Sequence, residues 1–166
     1  MGEQEWDSTT GGKYCYASAM RQKPVSSSAP AVETRTRVRY AETDQMGIAH
    51  HANYIVWFEL GRTDLCRATG VTYRSIEELG FLLVVAEVRC RYRIPFRYDD
   101  DVLIRTSIAD AASRSMTFRY EVLDGSGTQL HATGESVHLW LSALSRKPVV
   151  ADRDVMAGFA PLLRKE

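Results

Sequence analysis

The chain has 166 residues, 45% of them hydrophobic and 25% charged, which suits one globular domain and excludes wholesale disorder. Lys plus Arg equals Asp plus Glu at 21 each, so no overall charge attracts the protein to nucleic acid or to a membrane surface. Three widely separated cysteines (Cys15, Cys66 and Cys90), no membrane-spanning apolar run and no signal-peptide pattern predict a soluble cytoplasmic protein without a zinc site.

The chain begins with a segment that lacks the periodicity of a folded element. Residues 1–32 are rich in Gly, Ser, Thr and Gln, and we expect them to form a flexible extension outside the folded domain, which is predicted to occupy residues 33–166. In residues 34–40 the arginines occupy alternate positions, with Val38 and Tyr40 on the opposite side. This period predicts a half-buried strand.

A long helix is predicted from about Ala52 to Gly70, because Gly70 is well placed as a C-terminal stop. The first half of this helix is apolar nearly all round, which is typical of a helix buried on several sides. Its aromatic residues Tyr54, Trp57 and Phe58 fit either an acyl pocket or the core, and the core is the better reading for Trp57 and Phe58.

Beyond a short helical turn at residues 73–79, the apolar period changes to two and predicts further strands. The first runs from Phe81, and its predicted buried face consists of Val84, Ala86, Val88, Cys90, Tyr92 and Ile94. The next three are predicted over residues 102–108, 113–123 and 128–141, with a hairpin at Asp124-Gly125-Ser126-Gly127.

The end of the chain completes the predicted architecture. Asp152 is placed to cap a terminal helix that runs to about Leu163. The order of strand, long helix, antiparallel strands and short helix predicts an α+β fold class, with one long helix against a curved antiparallel sheet of about five strands.

The densest group of chemically active residues lies in residues 42–60, where the long helix begins. Asp44 precedes His51 by seven positions, and Gly47 permits a backbone turn between them. The first N–H groups of a helix lack intrahelical partners, so a carbonyl oxygen that develops negative charge is stabilised there. Asp44 folded toward such a carbonyl would form a minimal hydrolytic site. The same spacing also fits a turn residue and a structural histidine.

Several segments together resemble one known family. The run Val38–Gly47, followed by His51-Ala52-Asn53-Tyr54 and Trp57-Phe58-Glu59, resembles the signature of hot-dog fold thioesterases of the 4-hydroxybenzoyl-CoA thioesterase family. Tyr92-Arg93-Ile94-Pro95 and Asp99–Ile104 resemble two further segments of that family. The likeness covers about residues 34–150 and is nearest to the branch with the Tol-Pal-associated acyl-CoA thioesterases. It implies a hot-dog fold, in which the sheet wraps around the central helix.

The resemblance also assigns site residues by position. It places the catalytic carboxylate at Asp44 and the assisting histidine at His51, with the oxyanion donor at the helix start. His50 stands where relatives often have an aromatic residue, which leaves open which histidine assists. The substrate-binding residues expected here, with Arg114 assigned to the phosphates of CoA, are Gly47, Ala52, Tyr54, Ser113, Arg114 and Ser115.

The function implied by the resemblance is hydrolysis of an acyl-CoA thioester to a free acid and CoA, with Asp44 as general base or nucleophile. No metal or cofactor is expected beyond the CoA of the substrate, although an acyl carrier protein is an alternative carrier. The family implies a homodimer or homotetramer, with residues near Phe81 of a partner completing each site. The alternatives are a hot-dog dehydratase or hydratase and a non-catalytic acyl-CoA-binding module. No nucleic-acid partner is expected.

Overall fold

The computed structural model describes residues 30–163, in which one antiparallel sheet packs on a long helix. The strands are β1 (Ala31–Arg37), β2 (Phe81–Tyr92), β3 (Asp101–Ala112), β4 (Ser115–Asp124) and β5 (Leu130–Ser142). The helices are α1 (Asn53–Ala68), α2 (Tyr73–Glu78) and α3 (Arg153–Phe159), with 3-10 turns at Tyr40–Glu42 and Ala160–Leu162. The predicted α+β class is confirmed, and the strands of the sheet follow the order β1-β3-β4-β5-β2.

The first strand starts earlier than predicted. β1 begins at Ala31 and ends at Arg37, so two residues of the predicted extension belong to the sheet. Tyr40 lies beyond the strand in a 3-10 turn and is 78% exposed, so its predicted place on the buried side is wrong. Residues 1–29, most of that extension, lie outside the described part of the chain, and their flexibility stays a prediction.

The helix α1 lies against the sheet along a closely packed line. A β-carbon on Gly61 would overlap the Thr106 hydroxyl of β3, and one on Gly134 would overlap the ring of Phe58. Glycine at position 134 therefore permits the close approach of α1 to β5. Phe58 also stacks on Tyr120, with ring centroids 4.4 Å apart. These contacts leave no space for a ligand between the middle of α1 and the sheet.

One side of α1 is not covered by its own chain. Tyr54, Trp57 and Phe58 are buried core residues, but Ile55 and Val56 are exposed, and so is Leu60 one turn later. The prediction that the first half of the helix is buried on several sides is therefore wrong for the side with Ile55 and Val56 in the isolated chain. These three apolar side chains point away from the sheet, and no other described element of the same chain covers them.

β2 is an edge strand with a bulge that the alternating pattern did not reveal. Its pairing with β5 shifts between Val85 and Glu87, which leaves Ala86 as the extra residue. Because the bulge reverses the alternation, Val85 pairs with the inward-facing His138, whereas Val84 pairs with the exposed Leu139. The predicted single buried face is correct for Val88 and Cys90, which pack against the core, and wrong for Val84 and Ala86.

The connections follow the predicted turn and cap chemistry. Asp124 accepts hydrogen bonds from the N–H groups of Thr128 and Gln129, which closes the hairpin between β4 and β5. Asp152 caps α3 by accepting from the N–H of Asp154 at 2.9 Å, as predicted. Across residues 30–163, no helix is both long and apolar enough to pass through a bilayer.

Candidate active site

The loop before α1 is folded by its own backbone and by Asp44. The Asp44 N–H donates to the Ile48 carbonyl at 3.0 Å, and Thr43 forms an isolated β-bridge with Ala49. Gly47 has a φ of +71°, a conformation that side-chain-bearing residues rarely adopt. Asp44 Oδ1 accepts from the Met46 N–H at 2.8 Å, so the turn reading is correct for this oxygen. Oδ2 accepts no hydrogen bond from any described residue, which leaves it available to a substrate or water.

Beneath this loop lies a buried carboxylate that the sequence did not single out. Glu42 is 4% exposed and accepts hydrogen bonds from the backbone and side chain of Arg39 and from the Trp57 indole. Burial alone raises the pKa of Glu42, but the bonds from Arg39 and Trp57 lower it below the usual value overall. Its backbone carbonyl also holds the His50 N–H at 2.8 Å and the Asn53 side chain at 2.7 Å. Glu42 therefore ties the loop to the start of α1.

The first peptide groups of α1 present N–H donors to solvent. The His50 carbonyl accepts from the Asn53 N–H at 2.9 Å, and Ala52, the N-cap, provides no side-chain cap. The His51 N–H has no acceptor within residues 30–163, and the Ala52 N–H makes only a long contact of 3.3 Å with His50 Nδ1. Together with the helix dipole, this is the donor arrangement that an oxyanion requires.

The two histidines differ in their engagements. Both are exposed, and their rings lie 4.1 Å apart between centroids. His50 uses Nδ1 toward the Ala52 N–H, whereas the ring of His51 meets the edge of Tyr92 at 6.5 Å. The geometry therefore brings Asp44, Gly47, His51 and Ala52 onto one short loop and helix start.

Tyr54 contributes to this region from inside the core. Its side chain is 3% exposed and packs against Trp57 and Tyr92, with ring centroids 4.7 and 5.0 Å away. Burial raises the pKa of Tyr54 to about 12, so the hydroxyl stays protonated. In the isolated chain its side chain is part of the wall behind the site, not a surface facing a ligand.

The predicted substrate-binding residues Ser113, Arg114 and Ser115 lie at the opposite end of the sheet. Ser113 and Arg114 form the turn between β3 and β4, and their carbonyls accept from the N–H groups of Ala151 and Trp140. Ser115 pairs with Leu139 of β5, and Leu139 pairs in turn with Val84 of β2. His51, in contrast, lies beside Tyr92 at the other end of β2. Along β5, the partners of Val84 and Tyr92 are Leu139 and Ala132, and the seven residue steps between these two correspond to about 23 Å. The structure therefore does not bring Arg114 to Asp44 within one chain.

A second polar group lies under the C-terminal half of α1 and was not foreseen. This Arg62 cluster consists of Arg62, Tyr73, Tyr120, Ser136 and His138. Ser136 Oγ lies 2.7 Å from the Tyr120 hydroxyl and 2.8 Å from His138 Nε2, and Arg62 donates to the Tyr73 hydroxyl at 2.5 Å. Ser136 and His138 are 1% and 0% exposed, so no substrate reaches them. The signal available in the sequence was two polar residues, Ser136 and His138, at alternate positions on a face of β5 that otherwise carries Ala132, Gly134 and Trp140.

Neither polar group has the composition of a metal centre. Among residues 30–163, no three His, Cys, Asp or Glu side chains are grouped so that they could hold a metal ion. At the loop before α1, the available groups are a carboxylate oxygen, an imidazole and two backbone N–H donors. These groups suit attack on a carbonyl by an activated oxygen, with the charge collected by the amides.

Comparison with known proteins links this geometry to a family. A family model described as thioesterase-like superfamily matches residues 38–159. A Bacillus subtilis protein named "Putative acyl-CoA thioesterase YneP" is 38% identical over 112 residues, which cover 68% of this chain and 80% of that protein. The acyl-CoA thioester hydrolase YbgC of Escherichia coli O6:H1 is 27% identical and matches 74% of this chain and 91% of its own length.

A solved structure shares the arrangement of strands and helices. The DHNA-CoA thioesterase of Staphylococcus aureus superposes with a TM-score of 0.74 and 28% identity, covering 79% of this chain and 89% of that protein. The residues that the family model matches include the loop at Asp44 and the start of α1.

Proposed function

This chain belongs to the thioesterase-like superfamily, and from its relatives we infer that it is an acyl-CoA thioester hydrolase. The five-stranded antiparallel sheet around α1 and the likeness to a solved thioesterase confirm the hot-dog fold. The hydrolytic activity predicted from the sequence is thereby confirmed as a class. The narrower placement in the Tol-Pal-associated branch stays a prediction.

We propose that Asp44 supplies the catalytic carboxylate. The observation that carries this proposal is one loop that holds both the free Oδ2 of Asp44 and the unpaired N–H of His51. As general base, Asp44 would take a proton from water, whose oxygen attacks the thioester carbonyl; as nucleophile, it would form an anhydride that water then opens. In both routes the carbon–sulfur bond breaks and the CoA thiolate leaves and takes up a proton.

The oxyanion formed in this step would be held at the start of α1. The N–H groups of His51 and Ala52 are the proposed donors, and the positive end of the helix dipole adds to their effect. His51 is the proposed assisting histidine, since His50 already contacts the Ala52 N–H through Nδ1. Its role would be to orient the substrate or the attacking water.

The rest of the site is proposed to come from a second copy of the chain. β2 is an edge strand, and several of its apolar side chains are exposed, as are Ile55 and Val56 of α1. Antiparallel pairing of two β2 edges about the central bulge would place the turn at residues 113–115 of one copy beside Tyr92 of the other. Arg114 would then meet the CoA phosphates across the subunit boundary in a homodimer, or in a homotetramer built from two such dimers.

The carrier and the location follow the same reasoning. CoA is the proposed carrier of the acyl group, because it is named in the relatives described above, and an acyl carrier protein is the alternative. The cytoplasm is the proposed location. Cys66 and Cys90 are free and lie apart from any disulfide partner among the described residues, in agreement with a reducing compartment.

The function is tested by a turnover screen over acyl-CoAs of varied chain length and over aryl-CoAs, with free thiol followed by a colorimetric reagent. We expect thiol release with a clear preference within the panel, and mass spectrometry should find the free acid. Dehydrated or hydrated thioester in place of acid would indicate the dehydratase or hydratase class. Thermal stabilisation by acyl-CoA without any product would indicate a binding module.

A further inference from the structure

We propose that Tyr92 positions the oxyanion-binding peptide of α1 through a hydrogen bond from its hydroxyl to the carbonyl of His51. The Tyr92 Oη atom lies 3.0 Å from this carbonyl oxygen, across 41 positions of sequence. Tyr92 belongs to the segment Tyr92-Arg93-Ile94-Pro95, which none of the roles described above uses. The inference rests on the proposed site, and it assigns to that site a residue from β2.

Peptide geometry explains how a bond to a carbonyl can orient an N–H group. In a planar trans peptide the C=O and the following N–H point in opposite directions. The Asn53 N–H donates a hydrogen bond to the His50 carbonyl and so sets the orientation of the His51 N–H in the same peptide group. Tyr92 holds the His51 carbonyl and so fixes the Ala52 N–H. The two proposed oxyanion donors are thus oriented by two different anchors.

The two anchors differ in where they come from. Asn53 lies within the same turn as His50, so the first anchor forms whenever the helix starts. Tyr92 lies on another element, and within residues 30–163 no other group donates to the His51 carbonyl. The orientation of the Ala52 N–H therefore depends on how β2 is placed beside the helix.

Tyr92 is itself held in a defined position. Its ring meets the ring of Tyr54 edge to face, with centroids 5.0 Å apart and planes at 83°. Burial, followed by a hydrogen bond with Cys90, raises the pKa of Tyr92 to about 12, so its hydroxyl remains a donor at neutral pH. A fixed, protonated hydroxyl is what an anchor for the peptide requires.

The consequence for the reaction is confined to the transition state. An amide that is oriented before the oxyanion forms needs no reorganisation when the charge develops, whereas a free peptide must be turned into place. Loss of the anchor should therefore lower kcat and leave substrate binding nearly unchanged. A single neutral hydrogen bond contributes modestly, so we expect kcat to fall about 5- to 10-fold.

The test compares Tyr92→Phe with Tyr98→Phe, using the best acyl-CoA from the turnover screen. Phenylalanine at position 92 keeps the ring contact with Tyr54 and removes only the hydroxyl. Tyr98 is exposed, and its hydroxyl donates to no described residue, so it is the matched control. The expected result is a kcat about 5- to 10-fold lower for Tyr92→Phe, with KM, oligomeric state and Tm within error of the wild type.

A second measurement does not depend on turnover. The amide chemical shift of Ala52 should move in Tyr92→Phe and stay unchanged in Tyr98→Phe. Unchanged kcat in Tyr92→Phe, or an Ala52 amide that does not respond, overturns the positioning role. If the wild type hydrolyses no acyl-CoA, the proposed function fails, and the amide shift alone then decides whether Tyr92 orients the peptide.

Discussion

Two groups of similar polar residues lie beside the two halves of α1, one at the protein surface and the other buried. At the N-terminal end, Asp44 and His51 lie on a loop at the surface, where Asp44 Oδ2 and the His51 N–H have no hydrogen-bond partner among the described residues. Under the C-terminal half, Ser136 and His138 are hydrogen-bonded to each other and sealed between the helix and the sheet. Both places contain a histidine and an oxygen that could in principle attack a carbonyl.

The difference between the two groups shows that a reactive side chain must be reachable by substrate and must have an atom without a hydrogen-bond partner. Ser136 resembles a nucleophile beside its base, but its hydroxyl also meets Tyr120, and its nearest histidine is fully buried. Burial, and then the positive charge of Arg62, lowers the pKa of His138 to about 4. In the Arg62 cluster the Ser136 and Tyr120 hydroxyls and His138 Nε2 therefore already have partners, and only His138 Nδ1 is left without one among the described residues. At the loop before α1, Asp44 Oδ2 accepts no hydrogen bond from a described residue and remains available to a ligand.

The largest expected effect is on thioester turnover and comes from removing the carboxylate at the surface loop. Asp44→Asn should lower thioester turnover about 100-fold or more, because the amide can neither accept a proton from water nor attack the carbonyl. The free energy of unfolding should change little, since the amide oxygen can still accept from the Met46 N–H. Asp110→Asn, at an exposed carboxylate of β3, is the control. Thiol release by Asp44→Asn at the wild-type rate would remove Asp44 from the mechanism.

The buried Arg62 cluster should make the stability of the protein depend on pH. The pKa of His138 falls from 6.5 to about 4 on folding, so between these values the unfolded chain binds a proton that the folded protein does not. Stability is therefore lost as the pH falls from about 6.5 toward 4, by at most about 3 kcal/mol from this residue. The lowered pKa of His131 acts in the same direction.

Urea denaturation at several pH values measures this loss. His138→Asn should be less stable at neutral pH and should show a smaller loss between pH 6.5 and 4 than the wild type. The same pH dependence in both proteins would mean that His138 titrates normally and that the interior network is open to water.

The elements of the fold were predictable because their signals are local. Gly70 does mark the end of α1 within two residues, and Asp152 does cap α3. The period-two pattern located each strand of the sheet. Asp44 could be predicted as the carboxylate to watch, but only the resemblance to a family distinguished it from an ordinary turn residue. Its role in hydrolysis stays a prediction.

What could not be predicted depends on contacts between distant segments. The bulge at Ala86 is visible only in the pairing of β2 with β5, and nothing in the local sequence marks it. Glu42 was read as part of a motif, yet its importance comes from Trp57, 15 positions away. The bond from Tyr92 to the His51 carbonyl spans 41 positions. Such partners are set by the packing of the whole sheet on the helix.

A smaller effect is expected inside the Arg62 cluster. Ser136→Ala should reduce the free energy of unfolding by about 1 to 3 kcal/mol, because the Tyr120 hydroxyl and His138 Nε2 each lose a hydrogen-bond partner in the interior. Turnover per folded molecule should stay within about twofold of the wild type, as no substrate reaches this position. The exposed Ser145→Ala is the control. A loss of activity without a loss of stability would make the sealed end part of the reaction and end the contrast.

The smallest expected effect comes from Arg114→Ala, which tests whether a second chain completes the site at Asp44. Arg114 lies about 23 Å of strand away from the His51 end of β2 in its own chain, so an effect on CoA binding requires the turn of a partner. Arg114→Ala should raise KM for acyl-CoA about 3- to 10-fold and leave kcat nearly unchanged, because an exposed phosphate contact is worth about 1 kcal/mol. The effect should shrink as salt is raised, since exposed charges are screened. Arg74→Ala, on the exposed side of α2, is the matched control. Equal KM values for both variants would place the CoA phosphates elsewhere, and the Asp44 end of α1 would then not need this turn.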